Sequence, residues 1–146
     1  MGDGVTLTFD VPGIPVAQGR GRAVRIGPGV RVIDPEKSRD WKRTVHFTVA
    51  QHTVHIATQL PLQDALEVVL DFRMMRPKSL PKRVEHHTKR PDIDNCTKAI
   101  LDALNGLLYR DDSQIVKLTA TKRYADRPGV EIRVQTLEEP PHGGAD

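Results

Sequence analysis

Two short acidic runs contain the residues of this sequence that are best suited to chemistry. Asp92 and Asp94 follow Arg90-Pro91, and Asp111 and Asp112 come about 18 residues later. Clustered carboxylates raise one another's pKa and are tolerated where a hard cation lies among them. Mg²⁺ prefers oxygen ligands, and a metal held by carboxylates can activate water for phosphodiester cleavage. The pattern therefore indicates a metal-dependent site built from three or four acids.

A lysine is spaced to act with these acids. Lys98 lies four residues after Asp94, which is one turn along the same face if the segment is helical, and Asp102 follows at the same spacing. There it can bind a substrate phosphate or steady the attacking water. Simpler interpretations stay open: Asp94 as a helix cap, Lys98 as its surface ion-pair partner, and Asp111-Asp112 as an ordinary turn. Their occurrence together beside a basic loop favours catalysis.

The positive charge of the chain is concentrated in two stretches. Residues 19–43 carry a net charge of +5 and residues 73–90 a net charge of +6, whereas the whole chain carries only +3. Two basic blocks on a small domain indicate a polyanionic partner such as nucleic acid. The alternative is a pair of solvated loops.

The predicted elements bring the acidic runs together. A helix is expected from about Asp94 to the stop signal Asn105-Gly106, followed by the turn at 110–113. A helix of about 11 residues and a reversal of the chain can return that turn to the start of the helix. The carboxylates of both runs would then converge.

The rest of the sequence predicts an α+β domain with a small sheet and two main helices. The other helix should start at Asp34-Pro35 and end near His52, burying Trp41, Val45 and Val49 at four-residue spacing. Strands are expected at Val5–Val11, Val30–Ile33, Leu66–Phe72, Ile115–Tyr124 and Val130–Leu137, with a possible short strand at Leu107–Tyr109. Residues 12–29 are expected to form a loop because they contain three prolines and five glycines.

Composition narrows the class of protein further. The apolar fraction of 38% is typical of a globular domain, and no apolar run reaches the ~20 residues of a membrane helix. We expect one domain over residues 1–137 and a disordered acidic tail over 138–146. The single cysteine, Cys96, and the absence of a recognisable signal peptide predict a cytoplasmic protein with no membrane partner.

The acidic segment closely resembles a known family. Arg90-Pro91-Asp92-Ile93-Asp94-Asn95, then Lys98, then 102–106 (Asp-Ala-Leu-Asn-Gly), then 111–116 (Asp-Asp-Ser-Gln-Ile-Val) follow the pattern of the RusA Holliday junction resolvases. Gln18-Gly19-Arg20 with Arg22 is similar to the family's N-terminal basic turn. The resemblance extends from about Val5 to Leu137.

This resemblance implies both an activity and the residues for it. Members of the family are homodimeric, Mg²⁺-dependent endonucleases, often encoded by bacteria or their phages, that cut two opposing strands of a four-way DNA junction. By position, Asp92, Asp94 and Asp112 would be the metal ligands and Lys98 the supporting catalytic residue, and Mn²⁺ would substitute for Mg²⁺. Asp111 is a weaker candidate.

The DNA contacts are expected in the two basic stretches. They would be made by Arg20, Arg22, Arg76, Lys78, Lys82, Arg83, Lys89 and Arg90. The same residues are compatible with two other functions: a non-catalytic basic protein that binds nucleic acid, and a metal-dependent nuclease acting on flaps or RNA.

Overall fold

The computed structural model describes residues 4–19, 22–33 and 35–141. Over these residues it contains six strands, two α-helices and two short 3₁₀ helices. In chain order they are β1 (Thr6–Pro12), β2 (Arg22–Ile26), β3 (Gly29–Ile33), α1 (Glu36–Gln51), a 3₁₀ helix (Val54–Gln59), β4 (Ala65–Met75), α2 (Ile93–Leu104), a 3₁₀ helix (Asp112–Gln114), β5 (Ile115–Ala125) and β6 (Gly129–Leu137). The predicted α+β class is confirmed.

A four-stranded mixed sheet forms the centre of the fold. The strand order is β1-β6-β4-β5, with β4 antiparallel to β6 and parallel to β5. Alternate residues of β4 are buried, as the two-residue repeat of a strand requires when one face packs on a core. The buried residues of β4 are Leu66, Val68, Leu70, Phe72 and Met74.

Both helices contribute to the core that covers this face of the sheet. α1 buries Trp41, Val45 and Val49, as their four-residue spacing predicts. α2 has a broader buried stripe that includes Ile100 and Leu104. Full burial of an aliphatic side chain of this size contributes roughly 1.5–3 kcal/mol. This packing fixes α2 against the sheet and leaves its other side to the solvent.

Two local predictions are wrong. Residues 22–33 form the hairpin β2–β3, where the sequence predicts a loop as far as Gly29. Gly27, with a φ of 57°, makes the tight turn between the strands, so this glycine is part of a hairpin. Leu107–Tyr109 is not a strand, because Tyr109 makes only isolated bridges with Leu62 and Asn105.

Some expectations fall outside the described residues. They concern Arg20, the Asp34 helix cap, the side chain of Arg22 and most of the acidic tail. Among the residues that are described, none of the helices is both long and apolar enough to cross a membrane.

Candidate active site

The first acidic run lies at the start of α2. Asp92 immediately precedes the helix, and its backbone carbonyl accepts a hydrogen bond from the Cys96 amide at 3.0 Å. Its side chain makes no capping hydrogen bond. Asp94 lies in the first turn, where the helix dipole favours a negative charge. Both side chains are exposed, so both carboxylates are available to bind a ligand.

The two acids of the second run have different environments. The Asp111 carboxylate accepts the Ser113 amide at 3.1 Å and caps the 3₁₀ helix, and the hydrogen bonds from Ser113 lower the pKa of Asp111. Asp111 therefore has the structural role that the simpler interpretation assigns to this run. Asp112 makes no such bond and faces a cavity.

Gln114 fixes the position of this turn. Its Oε1 accepts the backbone amides of Arg110 and Asp111 at 2.8 and 3.1 Å. Its Nε2 donates to the carbonyl oxygens of Leu62 and Asp64 at 2.9 and 3.0 Å. One side chain thus links the acidic turn to the segment that leads into β4.

A cavity of about 440 Å³ lies between α2 and the helix-facing side of β5. Three of the predicted residues, Asp94, Lys98 and Asp112, line it together. The other lining residues are Ile93, Thr97, Leu101, Asp102, Leu118 and Ala120. The cavity therefore has a charged side, with acids and one lysine, next to an apolar wall.

Asp92 does not line this cavity. Over the described residues, the structure also contains no group of three histidine, cysteine or acidic side chains close enough to hold one metal ion. The structure thus brings together two of the three predicted acids and the lysine, while the third acid stands at the helix start.

The carboxylates in the cavity have no cationic partner among the described residues. No salt bridge joins Asp94 to Lys98, and none involves Asp112 within the parts of the chain that are described. The ion-pair interpretation of Lys98 is therefore not supported by this geometry. Unpaired, exposed carboxylates facing one cavity suit a hard cation, since Mg²⁺ is commonly bound through one or two carboxylates and several waters.

Two buried groups close to the acids stay uncharged. Tyr109 is fully buried, and its hydroxyl donates to the Leu101 carbonyl at 2.7 Å. Burial raises the pKa of Tyr109, and the charges of nearby acids, Asp112 first, raise it further. Burial likewise raises the pKa of the Cys96 thiol to about 11, so this cysteine is not a nucleophile at neutral pH.

The basic loop over residues 76–91 runs directly into α2. Five of its predicted DNA contacts have exposed side chains: Lys78, Lys82, Arg83, Lys89 and Arg90. Arg76 differs, because its Nη1 donates to the carbonyl oxygens of Pro81 and Val84 at 3.0 and 2.7 Å. Its guanidinium also lies 5.6 Å from the centre of the Tyr124 ring. Arg76 therefore has a clear role in shaping the loop.

The segment that leads to Arg20 is held beside the same end of α2. The Gln18 amide donates to the Asn95 carbonyl at 2.9 Å, and the Gly19 amide donates to the buried Ser38 hydroxyl at 3.3 Å. The N-terminal basic segment thus starts close to the first acidic run.

Sequence reasoning missed several residues around the cavity. The spacing places Asp102 on the same helix face as Lys98, as predicted from the sequence, but Asp102 was not assigned to the site; it lines the cavity. Leu118 and Ala120 lie on the same face of β5, but the sequence does not show that this face of β5 packs toward α2. Lys122 was missed entirely, since nothing in its local sequence indicates its contacts.

Comparisons with known proteins agree with the sequence pattern. A family model described as "Endodeoxyribonuclease RusA" matches residues 12–135. The chain is also similar to "Uncharacterized protein YqaN" of Bacillus subtilis (strain 168). It is 35% identical to that protein over 145 residues, which cover 90% of this chain and 96% of the relative. The matched range contains both basic stretches, α2 and every residue that lines the cavity.

Proposed function

This chain belongs to the RusA family of endodeoxyribonucleases, and on that premise we propose that it is a Mg²⁺-dependent resolvase of four-way DNA junctions. The observation that carries the proposal is the cavity that Asp94, Lys98 and Asp112 line together. Asp94 and Lys98 from α2 and Asp112 from the 3₁₀ turn converge on it, and none of the three forms a salt bridge among the described residues.

We assign the metal to Asp94 and Asp112, with Asp92 at the helix start as the third acid. When bound, the divalent cation supplies an activated water and polarises the phosphoryl oxygen, and Mn²⁺ should replace Mg²⁺. Lys98 lies one helical turn from Asp94, where its ammonium can bind a non-bridging phosphate oxygen. The apolar wall of Leu101, Leu118 and Ala120 is suited to contact the sugar next to that phosphate.

The basic loop, which precedes α2, would bind the DNA backbone next to the phosphate that enters the cavity. Its exposed lysines and arginines are within one continuous segment that ends at Asp92. Contacts of this type neutralise phosphates and position the duplex without reading its sequence. The N-terminal basic stretch, with Arg20 and Arg22, would add further contacts to the DNA backbone.

We further propose that the enzyme acts as a homodimer in the cytoplasm. The described residues of each chain form one such cavity with Asp94, Lys98 and Asp112, and resolving a junction requires two cuts. β5 is an edge strand of the sheet and exposes Val116, which lies outside the cavity lining and is 66% accessible. Exposed apolar residues on such a strand offer a surface to a second copy. In heterodimers of wild-type and Lys98→Ala subunits, one strand should be cut much faster than its partner.

One assay distinguishes this function from the alternatives. Labelled four-way junction, linear duplex, flap DNA and a flapped RNA are incubated with the protein in Mg²⁺ and in EDTA. We expect cleavage of the junction only in Mg²⁺ and little cleavage of the others. Binding without cleavage in Mg²⁺ would indicate the non-catalytic protein, and preferential cleavage of a flap or of RNA would indicate the other nuclease.

A further inference from the structure

Lys122 makes two contacts that link the sheet to the first acidic run. Its Nζ donates to the carbonyl oxygen of Lys89 at 2.8 Å and to that of Pro91 at 2.9 Å. These carbonyls lie on either side of Arg90, and Pro91 is bonded directly to Asp92. An ammonium group has three donors and a compact charge, so it can hold two carbonyls at once.

The position of Lys122 on β5 places it on the cavity side of the sheet. Lys122 is opposite the buried Phe72 of β4, two positions beyond Ala120 in the same row. Ala120 itself lines the cavity. Lys122 therefore extends the row of cavity residues toward the start of α2, and its side chain is only partly exposed.

Stabilisation of the helix does not explain a cation at this place. Positive charge next to a helix N-terminus opposes the helix dipole and is ordinarily avoided there. The Pro91 carbonyl that Lys122 binds belongs to the peptide bond with Asp92, which immediately precedes α2, and Asp94 lies in the first turn of that helix. A lysine here is suited to fixing the direction of the carboxylates and to balancing their charge.

We propose that Lys122 is a positioning residue for the acidic site. It holds the backbone that precedes Asp92 and so fixes the position of the first turn of α2, which contains Asp94. It acts on substrate only through these acids. The inference rests on the proposed function, because positioning matters to catalysis only if the acids bind metal and cut DNA.

The test compares Lys122→Met with Lys117→Met. Lys117 is on the same strand but on the other face, where it pairs with Glu67 at 3.6 Å, so its variant controls for loss of a β5 lysine. Three quantities are measured: hydrogen exchange of residues 92–98, Mn²⁺ affinity by calorimetry without DNA, and kcat and KM for junction cleavage.

For Lys122→Met we expect faster exchange in the first turn of α2, and Mn²⁺ affinity and kcat lower by about 10–100-fold, as for residues that orient metal ligands. KM for the junction should be unchanged. Lys117→Met should match the wild type, and Lys122→Arg should restore part of the loss.

Unchanged Mn²⁺ affinity and kcat in Lys122→Met would overturn the proposal, and so would a raised KM with normal kcat, which would make Lys122 a DNA contact. If Lys122→Met does not fold, Lys122→Gln, which keeps an amide donor on a shorter chain, is held to the same criteria. A wild-type protein that cuts no DNA would contradict the proposed function, while exchange and Mn²⁺ binding would still decide the role of Lys122.

Discussion

At the scale of single residues, the structure separates acids that the sequence presents as equivalent. Asp111 and Asp112 are adjacent and identical in type, yet Asp111 caps a 3₁₀ helix and Asp112 faces the cavity. Spacing alone identifies Asp94, Lys98 and Asp112 as candidates. It does not reveal that Asp92 stays outside the cavity wall, because that depends on where β5 lies relative to the helix start.

Lys98 gives the clearest prediction at this scale. Lys98→Ala should slow junction cleavage by roughly 10²–10³, the usual contribution of a charge placed at a developing anion. Stability should change by less than about 0.5 kcal/mol, because Lys98 is exposed and has no salt bridge among the described residues. Lys98→Arg should restore little activity, since the guanidinium is larger and planar.

Single-turnover rates and urea denaturation measure these two effects. Lys117→Ala, which removes an exposed lysine outside both basic stretches, is the matched control. Cleavage by Lys98→Ala at the wild-type rate would show that Lys98 is only a solvated helix residue.

His87 makes stability depend on pH. Burial, and then the nearby charge of Lys122, lower the pKa of His87 below 6.5, and its ring packs against Tyr124 with centroids 4.9 Å apart. The unfolded state therefore binds the proton more readily than the folded state. The contribution of neutral His87 to the free energy of unfolding is complete above about pH 6.5 and is lost as the pH falls below it.

His87→Phe keeps a ring against Tyr124 but cannot titrate. Denaturation at pH 7.5 and pH 5.5 should therefore show a smaller acid-induced loss of unfolding free energy in the variant than in the wild type. Equal losses in both proteins would mean that His87 does not contribute to the pH dependence.

At the scale of elements, periodicity predicts the helices and the long strands well. The four-residue stripe of α1 and the Asn105-Gly106 stop of α2 identify both helices to within a few residues. The strand at Val30–Ile33 was predicted and corresponds to β3, but β2 was missed because glycine and proline occur in hairpin turns as well as in irregular loops. The contacts of Gln114 join residues about 50 positions apart, and local sequence patterns carry no signal for such pairs.

Gln114 is the residue on which the acidic turn depends most. Gln114→Ala removes four hydrogen bonds and should lower the free energy of unfolding by about 2 kcal/mol, given a net 0.5–1.5 kcal/mol for each bond and partial replacement by water. Cleavage at saturating Mg²⁺ should also fall, because Asp112 loses its fixed position.

Gln63→Ala is the control, since Gln63 makes one local bond to the Pro61 carbonyl at 3.2 Å. Thermal denaturation and cleavage rates are measured for both variants. A Gln114→Ala protein that is as stable and as active as Gln63→Ala would rule out this role for Gln114.

At the scale of the whole molecule, charge is arranged along one path. The basic loop leads into the start of α2, and α2 in turn lines the cavity. Sequence composition predicted a polyanionic partner from this charge, and the family match identifies the partner class as DNA.

Lys82→Ala combined with Arg83→Ala tests the electrostatic part of this path. Removing two phosphate contacts should weaken junction binding and reduce the slope of log affinity against log salt by roughly two. Binding is measured by fluorescence anisotropy in Ca²⁺ or EDTA at several salt concentrations. A slope equal to that of the wild type would remove these residues from the DNA interface.

The most direct test of the central claim is to map the cuts on a four-way junction with each strand labelled in turn. In Mg²⁺, the wild-type protein should nick two opposing strands at symmetric positions. Asp94→Asn should make no cuts but should bind the junction in EDTA at least as tightly, because the substitution removes negative charge from a phosphate site. Wild-type cutting by Asp94→Asn, or equal cutting by the wild type in EDTA, would contradict the account.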